Sequence, residues 1–411
     1  METKYFLFED EKVENFLPLV WLNPFVNLRI GIKTIFEKWV KVLDSLDGLI
    51  VRPFLAEYTS SILSSAYVNF FPNNTRVVLI NARVNPYCSS VKDLLKVPEG
   101  WGVKDHSGNV LAFSIFLPEA EIKSSDFYDL AKYVKNWYEV EDIEIMDGLQ
   151  DLIMLNSKYI SEDFSRFYSR FSVRIPPDLR IFGDMVFIHD DAEIFPYVVI
   201  DATEGPVVVE QNARVLPFVF IKGPAFIGEG TTIKPHAKIL ENTSIGPICK
   251  VGGEVEGSIF HSYANKQHDG FLGHSYIASW VNLGADTVTS DLKNNYSLIR
   301  LKYKEREWSS NSKFIGSFIA DHVKTGINTM LNSGTIIGVF SNVFGANYPP
   351  KFIPSFYWGG ADGWEVHDLK RALETAERMM ARRKVTLTEE FKKLTCKVFE
   401  LTEDERRNFG G

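Results

Sequence analysis

An apolar residue returns at every sixth position between 209 and 251: Val209, Val215, Ile221, Ile227, Ile233, Ile239, Ile245 and Val251. Two places before each of the last seven stands a small or β-branched residue: Ala213, Val219, Ala225, Thr231, Ala237, Thr243 and Cys249. A period of six fits neither the roughly 3.6 of a helix nor the alternation of an ordinary strand. It predicts a β-helix, in which short strands stack coil on coil and the same columns always turn inward. The register slips at Gly252-Gly253. It reads again as Ile259, Asn265, Phe271, Ile277 and Leu283, and after a longer interruption as Ile319, Thr325, Leu331, Ile337 and Val343. Such slips predict loops thrown out on one side, the first of them between Val251 and Ile259.

The segment before this region has a different pattern. Tyr5–Phe8, Leu49–Val51 and Val77–Ile80 read as strands, and Ile35, Phe36, Trp39, Val40 and Leu43 mark one face of a helix. This alternation predicts an α/β domain with a mostly parallel, Rossmann-like sheet. Residues 102–111 read as a hairpin turning at Ser107-Gly108. A helix is expected over 125–165 from the stripe Phe127, Leu130, Ala131, Val134 and Trp137, with a further helix around Leu149, Leu152 and Ile153. Past residue 345 come two more helices, one carrying Leu369, Ala372, Leu373, Ala376 and Met380. The other follows a capping box at Thr386–Glu389. These helices are expected to cover the end of the solenoid. The predicted domains are 1–160 (sheet domain with linker helices), 161–345 (β-helix) and 346–411 (C-terminal cap).

Composition changes this picture little. The 411 residues carry a net charge of −8, which argues against nucleic-acid binding. No apolar run approaches the length of a membrane span. The start is acidic and lacks the apolar core of a signal peptide, and three cysteines suit a reducing compartment. The expectation is a cytoplasmic protein with no nucleic-acid or membrane partner.

Gly follows the aliphatic in Ile227-Gly228, Ile245-Gly246 and Val251-Gly252. This and the spacing resemble the hexapeptide repeat of left-handed β-helix acyltransferases, and the left hand is implied by that resemblance. The two halves together resemble the bifunctional N-acetylglucosamine-1-phosphate uridyltransferase/glucosamine-1-phosphate acetyltransferase. They are closer to a divergent branch of sugar nucleotidyltransferases with β-helix tails. The matching stretches are Phe8-Glu9-Asp10 through Leu17-Pro18-Leu19 to Arg29-Ile30-Gly31, and residues 266–275 through Val281-Asn282-Leu283-Gly284-Ala285.

The resemblance implies a transferase acting in nucleotide-sugar biosynthesis. The implied reactions are nucleotidyl transfer to a sugar-1-phosphate, acetyl transfer from acetyl-CoA to an amino sugar phosphate, or both. It also implies a homotrimer. His268 falls at the family's general base, five residues before Gly273, and a neutral imidazole suits removal of a proton from an amine. Glu254 falls at the residue that orients it. Lys234 and Asn282 fall at substrate-binding positions, and Ala285 lies near the acyl donor. Phe271 stands where the family has a tyrosine, and Glu256 where it has a phosphate-binding lysine. The Gly-x-Gly-Thr-Arg phosphate loop of nucleotidyltransferases is missing after the first strand. Asp10, Arg29 and Lys33 are candidates for a replacement site, with Asp10 and Asp105 for Mg²⁺ beside a nucleoside triphosphate. The second function class is a catalytically degenerate trimeric scaffold that binds sugar nucleotides. His261, His268 and His274 are an alternative metal set, although their spacing is that of no known zinc motif.

Overall fold

A computed structural model describes residues 3–43, 45–63, 66–117, 130–141, 143–168, 178–407 and 409. The chain divides into two compact units. One contains residues 1–28, 33–148 and 388–397; the other contains 29–32, 149–387 and 398–411. The boundary near 160 and the separate segment from 346 expected above give way to this two-part division.

In the first unit a seven-stranded sheet has the spatial order Tyr67–Val68, Gly48–Ile50, Thr3–Phe8, Thr75–Asn81, Val110–Leu117, Trp101–Lys104, Asn136–Glu139. The first four strands run parallel. Val110–Leu117 reverses direction, and the hairpin turn carries Gly108 at φ 79°. Phe6, Phe8, Val77, Leu79, Phe113 and Ile115 form a core that excludes water. Of the helix expected over 125–165, residues 125–129 lie outside the described ones. Asn136–Glu139 is a strand instead, paired parallel to Trp101–Lys104. The stripe has helical spacing only, and pairing along the edge of Trp101–Lys104 overrides it for these four residues. Leu149–Met154 and Asn156–Phe167 are helical. The start of helix Glu389–Leu401 also belongs to the first unit, where Phe391 packs edge-on against Tyr58 and Lys393 pairs with Glu57. Thr388 Oγ1 caps it by accepting the Phe391 N–H.

The second unit is a parallel β-helix, a three-sided prism of stacked coils. Its first face runs from Arg180–Phe182 to Phe271–Gly273, its second from Val186–Ile188 to Phe352–Ile353, and its third from Glu193–Ile194 to Asn265–Lys266. The third face continues through Asn282 to Lys324–Thr325 and Tyr357–Gly360. A regular coil takes eighteen residues, as from Ala225 to Thr243 and from Thr232 to Lys250. The hexad aliphatics are fully buried inside the prism, and the small column packs between them. Ile233→Ala would lose about 2–5 kcal/mol through transfer and cavity terms together. Lys238→Ala, on the outer surface one strand later, would stay within about 0.5 kcal/mol. Urea unfolding of both variants measures the contrast.

The slip after Val251 is a shortened coil, not an extruded loop. Ser244 pairs with Ile259 and Lys250 with Asn265, only fifteen residues on. The inward residues there are Val255, Phe260, Lys266 and Leu272, one place later than the column read through 259, 265 and 271. The real insertion follows Ile277, whose partner Ile319 comes 42 residues later. It contains the hairpin Arg300–Tyr303/Arg306–Ser309. That hairpin is tied down rather than freely solvated: Lys304 pairs with Asp404 at 2.7 Å, and Tyr303 donates to Glu405 at 2.5 Å.

The solenoid also outruns residue 345. Ile353 and Tyr357 continue its core past Pro349-Pro350, and Gly363–Val366 closes it with an antiparallel turn. Above that coil, Arg406 lies over Phe399 and Phe356, and Phe409 meets Tyr357 edge-on. On the second face, helix Asn156–Phe167 covers Val208 and Phe226. Among the described residues no helix is long and apolar enough to cross a membrane.

Candidate functional sites

Ligands of open α/β sheets bind beyond the carboxyl ends of the parallel strands. In the first unit those ends are closed by two ion-pair networks. Glu9, following Thr3–Phe8, accepts the Phe25 N–H at 2.6 Å and the Arg52 Nε–H at 3.0 Å. Asp10 receives the fully buried guanidinium of Arg83 at 2.6 and 2.8 Å and the Asn81 amide at 2.9 Å. Arg83 reaches on to Asp147 at 3.0 Å. A phosphate cradle needs bare backbone N–H groups. Here the loop runs straight into the short helix Glu11–Phe16 with its acidic side chains in place.

The candidates nominated for this region are thereby redistributed. Asp10 does not fit a divalent cation, because both its oxygens serve Arg83 and Asn81. Asp105 caps the hairpin turn, accepting the Asn109 backbone N–H at 2.8 Å and its side-chain amide at 2.5 Å. Among the described residues no three His, Cys, Asp or Glu side chains stand close enough to hold a metal ion. Arg29 belongs to the β-helix unit, where it is buried. Its backbone N–H donates to the Tyr276 hydroxyl at 3.1 Å, its Nε–H to the His261 carbonyl at 3.2 Å, and its Nη1 to the Ile32 carbonyl. These contacts hold it against the β-helix coils. Lys33 is half-buried in the two-residue strand Lys33–Thr34. Sequence reasoning did not single out Arg52 or Arg83; their only signal was an arginine just past each of two predicted strands.

The β-helix brings four of the other candidates onto one part of its surface. Lys234 and His268 lie on the edge between the third and first faces, and Ala285 follows on the next coil. Asn282 stands on the third face, bridged to Asn265 below and Lys324 above. His268 is exposed. Glu254 does not orient it; on the first face its carboxylate takes the Lys238 ammonium at 2.8 Å. The three histidines of this coil sit on three different edges, between strands Ile259–Phe260, Asn265–Lys266, Phe271–Gly273 and Tyr276–Ile277. They cannot share a metal.

Two features escaped the sequence reading. Lys266 points into the prism, and its ammonium donates to the carbonyls of Gly252 at 3.0 Å and His268 at 2.9 Å. Burial pushes its pKa down to about 8, and burial does the same to Lys324. Lys266 thus anchors the turn that presents His268. The second feature is the pairing of His274 with Asp291, whose Oδ2 lies 2.8 Å from the His274 Nδ1. The Asp–His spacing across a predicted interruption carried no signal. The cysteines form no disulfide among the described residues, and burial raises the Cys249 thiol to about 12, which leaves it an inert core residue.

Residues 5–170 match the family of sugar nucleotidyl transferases. A bifunctional sugar-1-phosphate nucleotidylyltransferase/acetyltransferase of Sulfurisphaera tokodaii is 31% identical over 147 residues, covering 34% of this chain and 36% of the relative. The bifunctional protein GlmU of Methanococcus aeolicus is 34% identical over 150 residues, 35% of each chain. The chain thus spans about a third of the length of the curated relatives it matches. A UDP-N-acetylglucosamine acyltransferase structure from Francisella novicida aligns with 56% of this chain and 87% of its own, at 16% identity and a TM-score of 0.29.

Proposed function

We propose that this protein is a transferase of nucleotide-sugar biosynthesis whose β-helix moves an acetyl group from acetyl-CoA to the amine of an amino sugar phosphate. What carries the reading is one chain that matches sugar nucleotidyl transferases over residues 5–170 and continues into a β-helix with a six-residue repeat, beside a relative named as a bifunctional nucleotidylyltransferase/acetyltransferase. His268 is the proposed base and Lys234 the proposed phosphate contact on the same edge, with Asn282 and Ala285 toward the acyl donor. The working state is a cytoplasmic homotrimer. The alternative reading is a trimeric scaffold that binds sugar nucleotides without turnover.

The same proposal makes the sheet domain a weak nucleotidyltransferase at best, since Arg52 and Arg83 are spent on Glu9 and Asp10. A nucleoside triphosphate with Mg²⁺ would need a site built elsewhere in that domain. Pyrophosphate release from UTP or dTTP with a hexose-1-phosphate is expected to stay near background. Ordinary turnover would refute the impairment. A thermal-shift screen with UTP, dTTP, acetyl-CoA, sugar-1-phosphates and a sugar nucleotide such as UDP-N-acetylglucosamine separates the enzyme from the scaffold, because a ligand of the folded state raises the midpoint by mass action. The enzyme requires a shift with acetyl-CoA; the scaffold responds only to sugar nucleotides.

A further inference from the structure

The hairpin Arg300–Tyr303/Arg306–Ser309, the last strand of the second face, Phe352–Ile353, and helix Glu403–Arg407 border a cavity of about 170 Å³. All three walls belong to the β-helix unit. The cavity lies against the second face, whereas His268 stands on the edge between the other two. Its walls are held in place by direct contacts. Lys304, at the hairpin turn, donates to Asp404 at 2.7 Å. The Tyr303 ring meets Phe352 edge-on, with centroids 5.1 Å apart. Glu405 accepts the Tyr303 hydroxyl at 2.5 Å and the Ser355 N–H at 2.8 Å. The carboxylates of Asp404 and Glu405 are thereby spent.

Lys302 and Lys351 also line the cavity. Neither ammonium makes a hydrogen bond or ion pair among the described residues. Lys351 is half-buried, and burial pulls its pKa below the usual lysine value, with Lys293 adding to the fall and Glu307 opposing it. Glu307 stands directly across the hairpin from Lys302, but Arg300 already holds its carboxylate at 2.5 Å. Glu305, exposed at the turn, is the remaining carboxylate of the wall. Four cations, Arg300, Lys302, Lys351 and Lys293, thus stand against two carboxylates, Glu305 and Glu307, which leaves two positive charges over. That surplus repels a metal ion, and a monoanion would answer only one of the two ammoniums. The size of the cavity excludes a polyanion such as nucleic acid. Lysine offers point charges rather than the planar fork that matches a carboxylate, which suits a tetrahedral dianion.

We propose that this cavity is a binding site for a phosphate dianion, whose oxygens accept hydrogen bonds from Lys302 on the hairpin and Lys351 on the last coil. The dianion comes from free orthophosphate or from the phosphomonoester of a small metabolite. Because one lysine belongs to the insertion and the other to the last coil, the bound ligand ties the two together. The site binds without making or breaking a covalent bond, and it is independent of the acyl-transfer reading.

Trace acetylation of the full chain with an N-hydroxysuccinimide ester, read lysine by lysine by peptide mass spectrometry, tests the site. A bound dianion favours the charged ammonium, which does not react, so orthophosphate should slow labelling of Lys351 about tenfold or more. Half of the effect is expected at millimolar orthophosphate, with sodium chloride adjusted to hold the ionic strength constant. Lys302→Met keeps the stem and removes one charge. It should raise the phosphate concentration required about tenfold, the loss expected for one hydrogen bond to a charged group. Lys302→Arg, which keeps the charge, should retain protection, and Lys234→Met, on another edge of the prism, should leave it unchanged. Circular dichroism confirms that each variant folds. Glucose-6-phosphate in a parallel series names the source: protection at lower concentration than orthophosphate assigns the site to a phosphomonoester, and equal or weaker protection assigns it to the free ion. No protection of Lys351 by either compound, the same protection by sodium chloride alone, unchanged protection in Lys302→Met, or loss of protection in Lys234→Met overturns the proposal.

Discussion

Replacing Arg83 by Leu should unfold the N-terminal sheet domain or bring it close to unfolding. The guanidinium is fully buried and serves Asp10, Asp147 and the Met146 carbonyl at once. Its removal leaves the Asp10 carboxylate, only 8% exposed, without its counter-charge. Breaking a buried pair from one side costs about 3–5 kcal/mol. A domain's whole stability is about 5–15 kcal/mol, so the loss is a large fraction of it. Urea unfolding followed by tryptophan fluorescence reads the effect. The double variant Asp10→Asn/Arg83→Leu should recover a substantial part, because the stranded charge is gone. A double variant as unstable as the single one would mean that Arg83 acts through packing alone.

The largest expected effect on activity is that of His268→Ala. A positioned base contributes about 10²–10⁴ in rate, so acetyl transfer from acetyl-CoA to glucosamine-1-phosphate should fall by that order. Folding should be untouched, since the side chain is exposed and the turn is anchored through its backbone by Lys266. Lys234→Ala should instead raise KM for the phosphorylated acceptor and matter less for unphosphorylated glucosamine. Full activity in His268→Ala would remove His268 from the mechanism. Inactivity of wild type with several amino sugars and acyl donors would favour the scaffold.

The periodicity of the chain determined the β-helix and most of its core. A column of Val and Ile at every sixth position has one way to be buried, and each coil needs only its neighbours to bury it. The order of strands and helices determined the sheet domain for the same reason: alternation along the chain is a local property. Where the local pattern was poor, the reading slipped. Lys266 broke the aliphatic column, so the register after Gly252-Gly253 was read one residue early, and a shortened coil was taken for an extruded loop.

The tertiary structure alone decided what the charged side chains do. Glu254 could have faced His268 or Lys238, and stacking of Lys238–Ile239 under Glu254–Glu256 settled it for the lysine. Arg29 is close in sequence to the sheet domain's first elements, yet its bonds are to His261 and Tyr276, more than two hundred residues away. Asp291 lies one coil above His274, and an insertion-bearing segment had to return before the pair could form. Burial and pairing of charge depend on which distant segments meet, and sequence spacing does not encode that meeting when each partner has several possible counter-charges. The spacing of six could show where the edges of the prism fall. Only the packed coils show which edge holds a histidine with its carboxylate.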